Sequence, residues 1–72
     1  MVIVTSPLMK DKVLKIVEEI EEIDVKHIKT EGINMYFETN VDDDQAISII
    51  KNKIKSDPIS NGIIIKVRKE YI

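Results

Sequence analysis

The chain has 72 residues, a net charge of −2 and no cysteine. This length allows one small domain, because two domains would each be too short to bury a core. The absence of cysteine excludes disulfides, zinc fingers, iron–sulfur clusters and thiol catalysis. Charged residues make up 33% of the chain and carry both signs, so the basic field typical of a strong duplex binder is not expected. A domain of this size depends on tight packing or on a partner subunit.

The chain opens with a β-branched run, Met1 to Thr5, that predicts a buried central strand. This opening has no basic n-region and no long apolar stretch, so we expect no secretory signal, no membrane span and a cytoplasmic location. Ser6 and Pro7 then indicate a helix start with the serine as cap. The helix would have one apolar stripe over about four turns, formed by Met9, Val13, Ile16, Val17 and Ile20.

Two strand-like runs follow the first helix, and Gly32 lies between them. A glycine at this point is typical of the turn of a β-hairpin. The first run covers residues 25–30 and the second covers residues 33–39. In the second run Ile33, Met35 and Phe37 occupy alternate positions, which predicts a strand that buries these three side chains.

Three consecutive aspartates, Asp42 to Asp44, raise the question of a metal site. An EF-hand loop needs a glycine at its sixth position, whereas the sixth residue counted from Asp42 is Ile47. A weak magnesium site that also uses Glu38 stays open. Helix capping explains the same residues more simply, because Asp42 and Gln45 have the spacing of a capping box and the other aspartates lie at the positive end of a helix. We therefore expect a cap and no metal.

The helix that follows has an apolar stripe of Ala46, Ile47, Ile50 and Ile54. Pro58 ends it, because proline disfavours the helical conformation of the residue before it. Residues 62–72 then predict a last strand that is longer than the others and runs to the end of the chain. Its alternation directs Ile63, Ile65 and Val67 towards the core. The side chains of Ile64, Lys66 and Arg68 would face away.

The order of elements is strand, helix, strand, strand, helix, strand. Right-handed crossovers bring the first and third strands together, which gives a split βαβ arrangement with spatial order 4-1-3-2. This pattern resembles the ferredoxin-like fold. The resemblance implies an α+β fold, a βαββαβ sandwich in which a four-stranded antiparallel sheet carries two helices on one face. Because that fold hosts many unrelated functions, it implies an architecture and no activity.

Three subfamilies of this fold can be compared with the residues present. Heavy-metal-associated domains carry a Cys-x-x-Cys motif after the first strand, and this chain has no cysteine. RNA-recognition motifs place several aromatic residues on the two central strands, where this chain offers Tyr36. ACT-type regulatory domains have a glycine in the first loop, where this chain has Thr5, Ser6 and Pro7. No family's binding residues are therefore carried over.

The sequence contains no recognisable catalytic constellation. His27 is the single histidine and cysteine is absent, so we expect neither a transition-metal site nor a cofactor. No serine has a base at a recognisable spacing, and two glycines do not make a phosphate-binding loop. Because catalysis needs a nucleophile, a base and oxyanion donors together, we expect no enzymatic activity from this chain.

The sheet face without helices is the candidate binding surface. We expect Val2, Val4, Tyr36 and Ile64 in its middle and a polar, mostly basic rim, an arrangement that interfaces often show. A solvated face with scattered aliphatic residues would carry the same side chains, and that reading stays open. The candidate binding residues are Tyr36, His27, Lys29, Asn34, Ile64, Lys66 and Arg68.

Two functions follow from this surface. The first is an interaction module, either a homo-oligomer or an accessory or regulatory subunit, which docks through the open face or the edge of the last strand. Tyr71 and Ile72 favour that edge, because they would otherwise be apolar groups on a free tail. The second is binding of single-stranded RNA, with Tyr36 as a stacking platform. One aromatic gives one stacking contact, and the acidic first helix opposes a polyanion, so we favour the interaction module. The basic residues that would follow the phosphates are Lys29, Lys66, Arg68 and Lys69.

Overall fold

A four-stranded antiparallel sheet forms one layer of the protein, and two helices form the other. The computed structural model describes residues 1–62 and 64–70. Its strand order, β2-β3-β1-β4, is the expected 4-1-3-2 order read from the opposite edge, so the predicted α+β, ferredoxin-like βαββαβ architecture is confirmed. The elements are β1 (Val2–Thr5), α1 (Lys10–Glu18), β2 (Val25–Glu31), β3 (Asn34–Thr39), α2 (Asp43–Lys55), a short 3-10 helix (Pro58–Asn61) and β4 (Lys66–Lys69).

The strand β1 lies in the middle of the sheet between β3 and β4, and both pairings are antiparallel. The crossover through α1 makes β1 and β2 run in the same direction, and the β2–β3 hairpin then reverses the chain once. In this register Ile3 lies opposite Tyr36 on one side and opposite Arg68 on the other. The three residues therefore form a row across the sheet.

The core fills the space between the sheet and the two helices. Phe37 and Met35 are its largest fully buried sheet residues, and burying a side chain of this size contributes roughly 1.5–3 kcal/mol to stability. Val2 and Val4 belong to the same cluster, which corrects their predicted place on the open face. Because Val2, Ile3 and Val4 are all apolar, alternation does not tell which of the two sets faces the helices. From the helices the core takes Val13, Ile16, Val17, Ala46, Ile50 and Ile54.

The helix α1 begins later than its sequence predicts. It starts at Lys10, and the N-cap residue Met9 has a left-handed backbone conformation with φ of 57°. No side-chain hydrogen bond caps this end of the helix. Ser6 is buried but does not cap the helix. Its amide donates to the Ile33 carbonyl at 2.9 Å, and its hydroxyl donates to the Leu8 carbonyl at 2.5 Å. The predicted stripe is therefore wrong at Met9, which is 45% exposed.

The cap of α2 is confirmed. The amide of Gln45 donates to Asp42 Oδ1 at 2.9 Å, so the first aspartate of the triplet satisfies one of the free N–H groups of the helix. Asp43 lies 3.2 Å from the terminal ammonium of Met1, and Asp44 Oδ1 lies 3.4 Å from Lys69 Nζ. The three carboxylates thus have three different partners. Among residues 1–62 and 64–70, no group of His, Asp and Glu side chains is arranged to hold a metal ion.

The hairpin is confirmed, but its turn lies one residue later than expected. Gly32 has φ of 59°, a conformation that glycine adopts without steric cost. Ile33 also belongs to the turn and is 45% exposed, so its predicted burial beside Met35 is wrong. The strand β2 contains an irregularity between His27 and Lys29 that shifts the register against β3.

The last strand is shorter than predicted. It covers Lys66–Lys69, whereas β2 with seven residues is the longest strand of the described chain. Val67 is buried in the core, and Ile65 packs against the core from just outside the strand, as expected from alternation. Ile63, Tyr71 and Ile72 lie outside the described residues, so the proposed oligomer edge at Tyr71 and Ile72 stays a prediction.

Candidate interaction surfaces

The open face of the sheet brings together five of the predicted binding residues. The register places Lys29 opposite Tyr36 and Asn34 opposite Thr5, and it places Lys66 and Arg68 at the β4 end of the same two rows. The Thr5 hydroxyl donates to Asn34 Oδ1 at 2.7 Å, which links the two central strands on this face. The predicted residues on the open face are Lys29, Asn34, Tyr36, Lys66 and Arg68.

His27 does not lie on the open face. It pairs with Phe37, and the centroids of the two rings are 5.4 Å apart with the rings tilted by 51°. Since Phe37 is a core residue, His27 is on the helix side of β2, where its Nε2 shares a hydrogen bond of 2.8 Å with Thr30 Oγ1. The irregularity between His27 and Lys29 breaks the alternation on which the prediction depended, because an extra residue moves the neighbours to different faces.

The expected apolar middle of the open face is not exposed. Ile3 is the β1 residue whose row crosses this face, and it is only 3% exposed. Its neighbours in the row are Tyr36 and Arg68, whose long side chains cover an aliphatic group while their polar ends stay in water. The groups exposed to water on this face are therefore mainly polar. This agrees with the alternative reading of the sequence, in which the face is solvated.

The charges of the open face are mixed. Lys29 Nζ lies 2.6 Å from Glu31 and 4.8 Å from the centroid of the Tyr36 ring. The hydrogen bond to Glu31, and then the negative charge of Glu31, raise the pKa of Lys29 above its ordinary value of 10.5. The strand pairing also places Glu38 opposite Lys26. The face thus carries anions beside its cations, and a lysine already lies against the Tyr36 ring.

A second surface, which the sequence did not predict, lies where β1 leaves the sheet and β3 and β4 begin. Thr5, at the end of β1, pairs with the first residue of β3 and the first residue of β4. The loops at this end expose large apolar side chains: Leu8 by 60%, Met9 by 45%, Ile33 by 45% and Ile64 by 75%. We call Leu8, Met9, Ile33 and Ile64 the apolar end. Ile64 precedes β4, so it lies beyond the end of the strand that carries Lys66 and Arg68, and its predicted part in binding stays a prediction.

Hydrogen bonds hold the loops of the apolar end together. Lys10 Nζ donates to the Gly32 carbonyl at 2.7 Å, and the buried Ser6 bonds to both Ile33 and Leu8. These bonds join the start of α1 and the β1–α1 loop to the hairpin turn, and one of them fixes the loop itself. A left-handed backbone costs a residue with a side chain roughly 1–2 kcal/mol, so Met9 keeps a strained conformation beside an exposed Leu8.

A groove of about 610 Å³ adjoins the apolar end. Met9 belongs to both, and the apolar lining continues along α1 to Ile16 and across to Pro58. The groove also carries charges of both signs, from two lysines of α1 and from Glu19 and Asp57. The groove therefore continues the exposed apolar surface from the apolar end along α1.

Spacing misplaced two residues of the apolar end and gave a partial signal for the others. Met9 lies four residues before Val13, which is a stripe position only if the helix already includes residue 9. Ile33 continues the alternation of Met35 and Phe37, but the turn ends the strand before it. Leu8 lies off the stripe, and alternation directs Ile64 away from the core, so the exposure of these two residues could have been predicted from the sequence.

Comparison with known proteins adds no further information about the function. The chain matches no model of a protein family, no curated protein and no solved structure. Within the described residues, neither α1 nor α2 has the length and apolar character that a membrane-spanning helix requires. The function must therefore be inferred from the two surfaces themselves.

Proposed function

We propose that this protein is a small interaction domain, without catalytic chemistry of its own, that associates through the apolar end with a protein partner, either a copy of itself or a different protein. The observation that supports this proposal is the exposure of Leu8, Met9, Ile33 and Ile64 at one end of the sheet. Single exposed aliphatic residues are ordinary on a protein surface, whereas several in one place are typical of an interaction site.

The sheet edges favour association through the apolar end over strand pairing. The edge strand β4 has four residues, three of which are Lys66, Arg68 and Lys69. The other edge strand, β2, contains the irregularity after His27 and several charged side chains. Short length, charge and bulges are the features by which natural proteins prevent pairing at an open edge. Docking at the edge of the last strand is therefore less supported than docking at the apolar end.

Binding of single-stranded RNA on the open face has less support. A base that stacks on the side of Tyr36 facing Lys29 would have to displace that ammonium group, which also forms an ion pair with Glu31. The neighbouring anions weaken the positive potential that a phosphate backbone needs. We therefore treat RNA as an alternative outcome of the test below.

The test compares the native size of the wild type in cell extract with that of a variant that carries charges at the apolar end. Gel filtration of a tagged chain in extract detects association with any partner. We expect the wild type to elute earlier in extract than a Leu8→Lys/Ile64→Lys double variant, because two charges in an apolar contact oppose docking. Nuclease treatment of the extract, which removes RNA partners, should leave this difference unchanged.

The matched control is Ile28→Lys. Ile28 is 40% exposed, but it lies on β2 beside the register shift and away from the apolar end. This control should elute with the wild type. If the wild type and the double variant elute together in extract, the protein does not associate through the apolar end and the proposed function is wrong.

A further inference from the structure

We infer that the partner at the apolar end is a second copy of the same chain, bound across a two-fold axis. This inference rests on the proposed function and specifies the partner. In a two-fold contact the same surface patch occurs on both sides, so the patch must be complementary to itself in shape and charge. Three features of the apolar end meet that requirement.

The first feature is its area. The four exposed fractions of the apolar end add to more than two fully exposed aliphatic residues, which is on the order of 400 Å² and within the range in which a monomer's largest apolar patch is often functional. A standard interface covers about 800 Å² on each partner, of which somewhat more than half is apolar. The apolar end thus supplies most of the apolar area that one side of a dimer contact needs.

The second feature is the balance of charge around the patch. The first turn of α1, beside Met9, carries two lysines and one aspartate. Glu31 ends β2 before the turn, and Lys66 begins β4 after Ile64. Three cations and two anions therefore surround the apolar residues. A rim of one sign would repel its copy across a two-fold axis, whereas a rim of both signs can pair opposite charges between the two subunits.

The same balance distinguishes a second copy from other occupants. An anionic lipid surface attracts clusters of basic residues beside an apolar insertion, and a nucleic acid requires a basic field. The rim of three cations and two anions, which are Lys10, Asp11, Lys12, Glu31 and Lys66, provides neither a basic cluster nor a basic field. The protected sheet edges also make strand exchange between copies unfavourable, which leaves the apolar end as the route to self-association.

The third feature is the size of the domain. A chain of 72 residues without cysteine has a small core and no disulfide bond to stabilise it. Such domains often gain stability from a partner subunit. A dimer would bury the exposed part of Leu8 and Ile64, the two most exposed large apolar residues of the described chain. Self-association would therefore add burial where the monomer lacks it.

Sedimentation equilibrium of the purified protein over a wide concentration range tests this inference. We expect a monomer–dimer equilibrium in the wild type. Leu8→Lys and Ile64→Lys, made separately, should each raise the dissociation constant at least about tenfold, because each places two like charges across the contact. Ile28→Lys should leave the constant unchanged. Circular dichroism will show whether each variant keeps the fold, which exposed substitutions normally preserve.

The outcomes separate this inference from the proposed function. A wild type that stays monomeric at every concentration overturns the second copy, and the extract experiment then decides whether another protein binds the apolar end. A dimer that persists in both lysine variants overturns the inference, because the contact must then lie elsewhere. A dimer that is weakened by Ile28→Lys as strongly as by the other variants also overturns it, since β2 would form the contact.

Discussion

The open sheet face and the apolar end differ in how far their apolar side chains are exposed to water. On the open face the central aliphatic residue, Ile3, is 3% exposed, whereas Leu8 and Ile64 at the apolar end are 60% and 75% exposed. The difference comes from the neighbours. Ile3 lies in a strand between Tyr36 and Arg68, while Leu8 and Ile64 lie in loops outside the strands. A face without a covering layer is thus not the same as a face with exposed apolar groups.

The largest predicted effect is on stability, and it distinguishes the buried Ile3 from the exposed Ile64. Ile3→Ala should lower the free energy of unfolding by about 2–4 kcal/mol, because it removes a buried side chain and leaves a cavity. Ile64→Ala should change it by less than about 0.5 kcal/mol, because the side chain is already in water. Urea unfolding at a protein concentration low enough to keep the chain monomeric measures both.

Similar effects of the two substitutions would mean that Ile3 and Ile64 do not differ in burial. A small effect of Ile3→Ala would mean that Tyr36 and Arg68 do not cover the isoleucine, and the open face would regain an apolar middle. A large effect of Ile64→Ala in the monomer would mean that Ile64 packs within its own chain, and the apolar end would lose its most exposed member.

The sequence predicted the order of the strands, the cap of α2 and the turn of the hairpin correctly. The Asp42 cap, the Gly32 turn and the order of strands depend on local chemistry, and local chemistry can be read from neighbouring residues. The faces of two strands were harder to predict. In β1 every central residue is apolar, so burial decides the face only once the sheet has formed. In β2 an irregularity between His27 and Lys29 places these two residues on different faces of the sheet. No residue type at this position predicts such an irregularity.

The candidate site was predicted only in part, because its members belong to loops. Five of the predicted binding residues lie in strands, and the structure places them on the open face as predicted: Lys29, Asn34, Tyr36, Lys66 and Arg68. The apolar end depends on where α1 and β3 begin. A helix that starts at Lys10 instead of Pro7 leaves Met9 outside the core, and element boundaries are the least certain part of a sequence-based prediction.

A smaller effect concerns the backbone that shapes the apolar end. At position 9 a glycine should be more stable than an alanine by about 1 kcal/mol, because the left-handed conformation of Met9 suits glycine and both variants lose the same side chain. Thermal or urea unfolding of Met9→Gly and Met9→Ala measures this difference. Alanine is more stable than glycine inside a helix, but glycine is preferred to alanine at an N-cap, so the cap position and the left-handed backbone predict the same order.

Gly32 provides the matched control for Met9. A Cβ added there meets no atom within 4 Å, so Gly32→Ala should cost about 1 kcal/mol through its backbone conformation alone. If alanine were at least as stable as glycine at position 9 but not at position 32, Met9 would adopt the helical conformation in solution. Leu8 would then be placed differently, and the geometry of the apolar end would need revision.

The smallest effect concerns Lys29 on the open face. Because Glu31 raises the pKa of Lys29 above 10.5, the stabilisation from this pair is complete below the unfolded pKa and is lost as the pH rises through the folded pKa. The loss therefore occurs only in strongly alkaline solution. An NMR titration of the lysine side chain should find a pKa above 10.5, and Glu31→Gln should lower it. An unchanged pKa in that variant would show that the ion pair does not form.

The central claim, that this protein associates through the apolar end and not through the open face, is tested most directly by amide NMR spectra recorded over increasing protein concentration. We expect concentration-dependent shifts in the loops that carry Leu8, Met9, Ile33 and Ile64, with Tyr36 and Arg68 unchanged. Shifts centred on Ile3, Tyr36 and Arg68, with the apolar end unchanged, would contradict the claim and return the interface to the open sheet face.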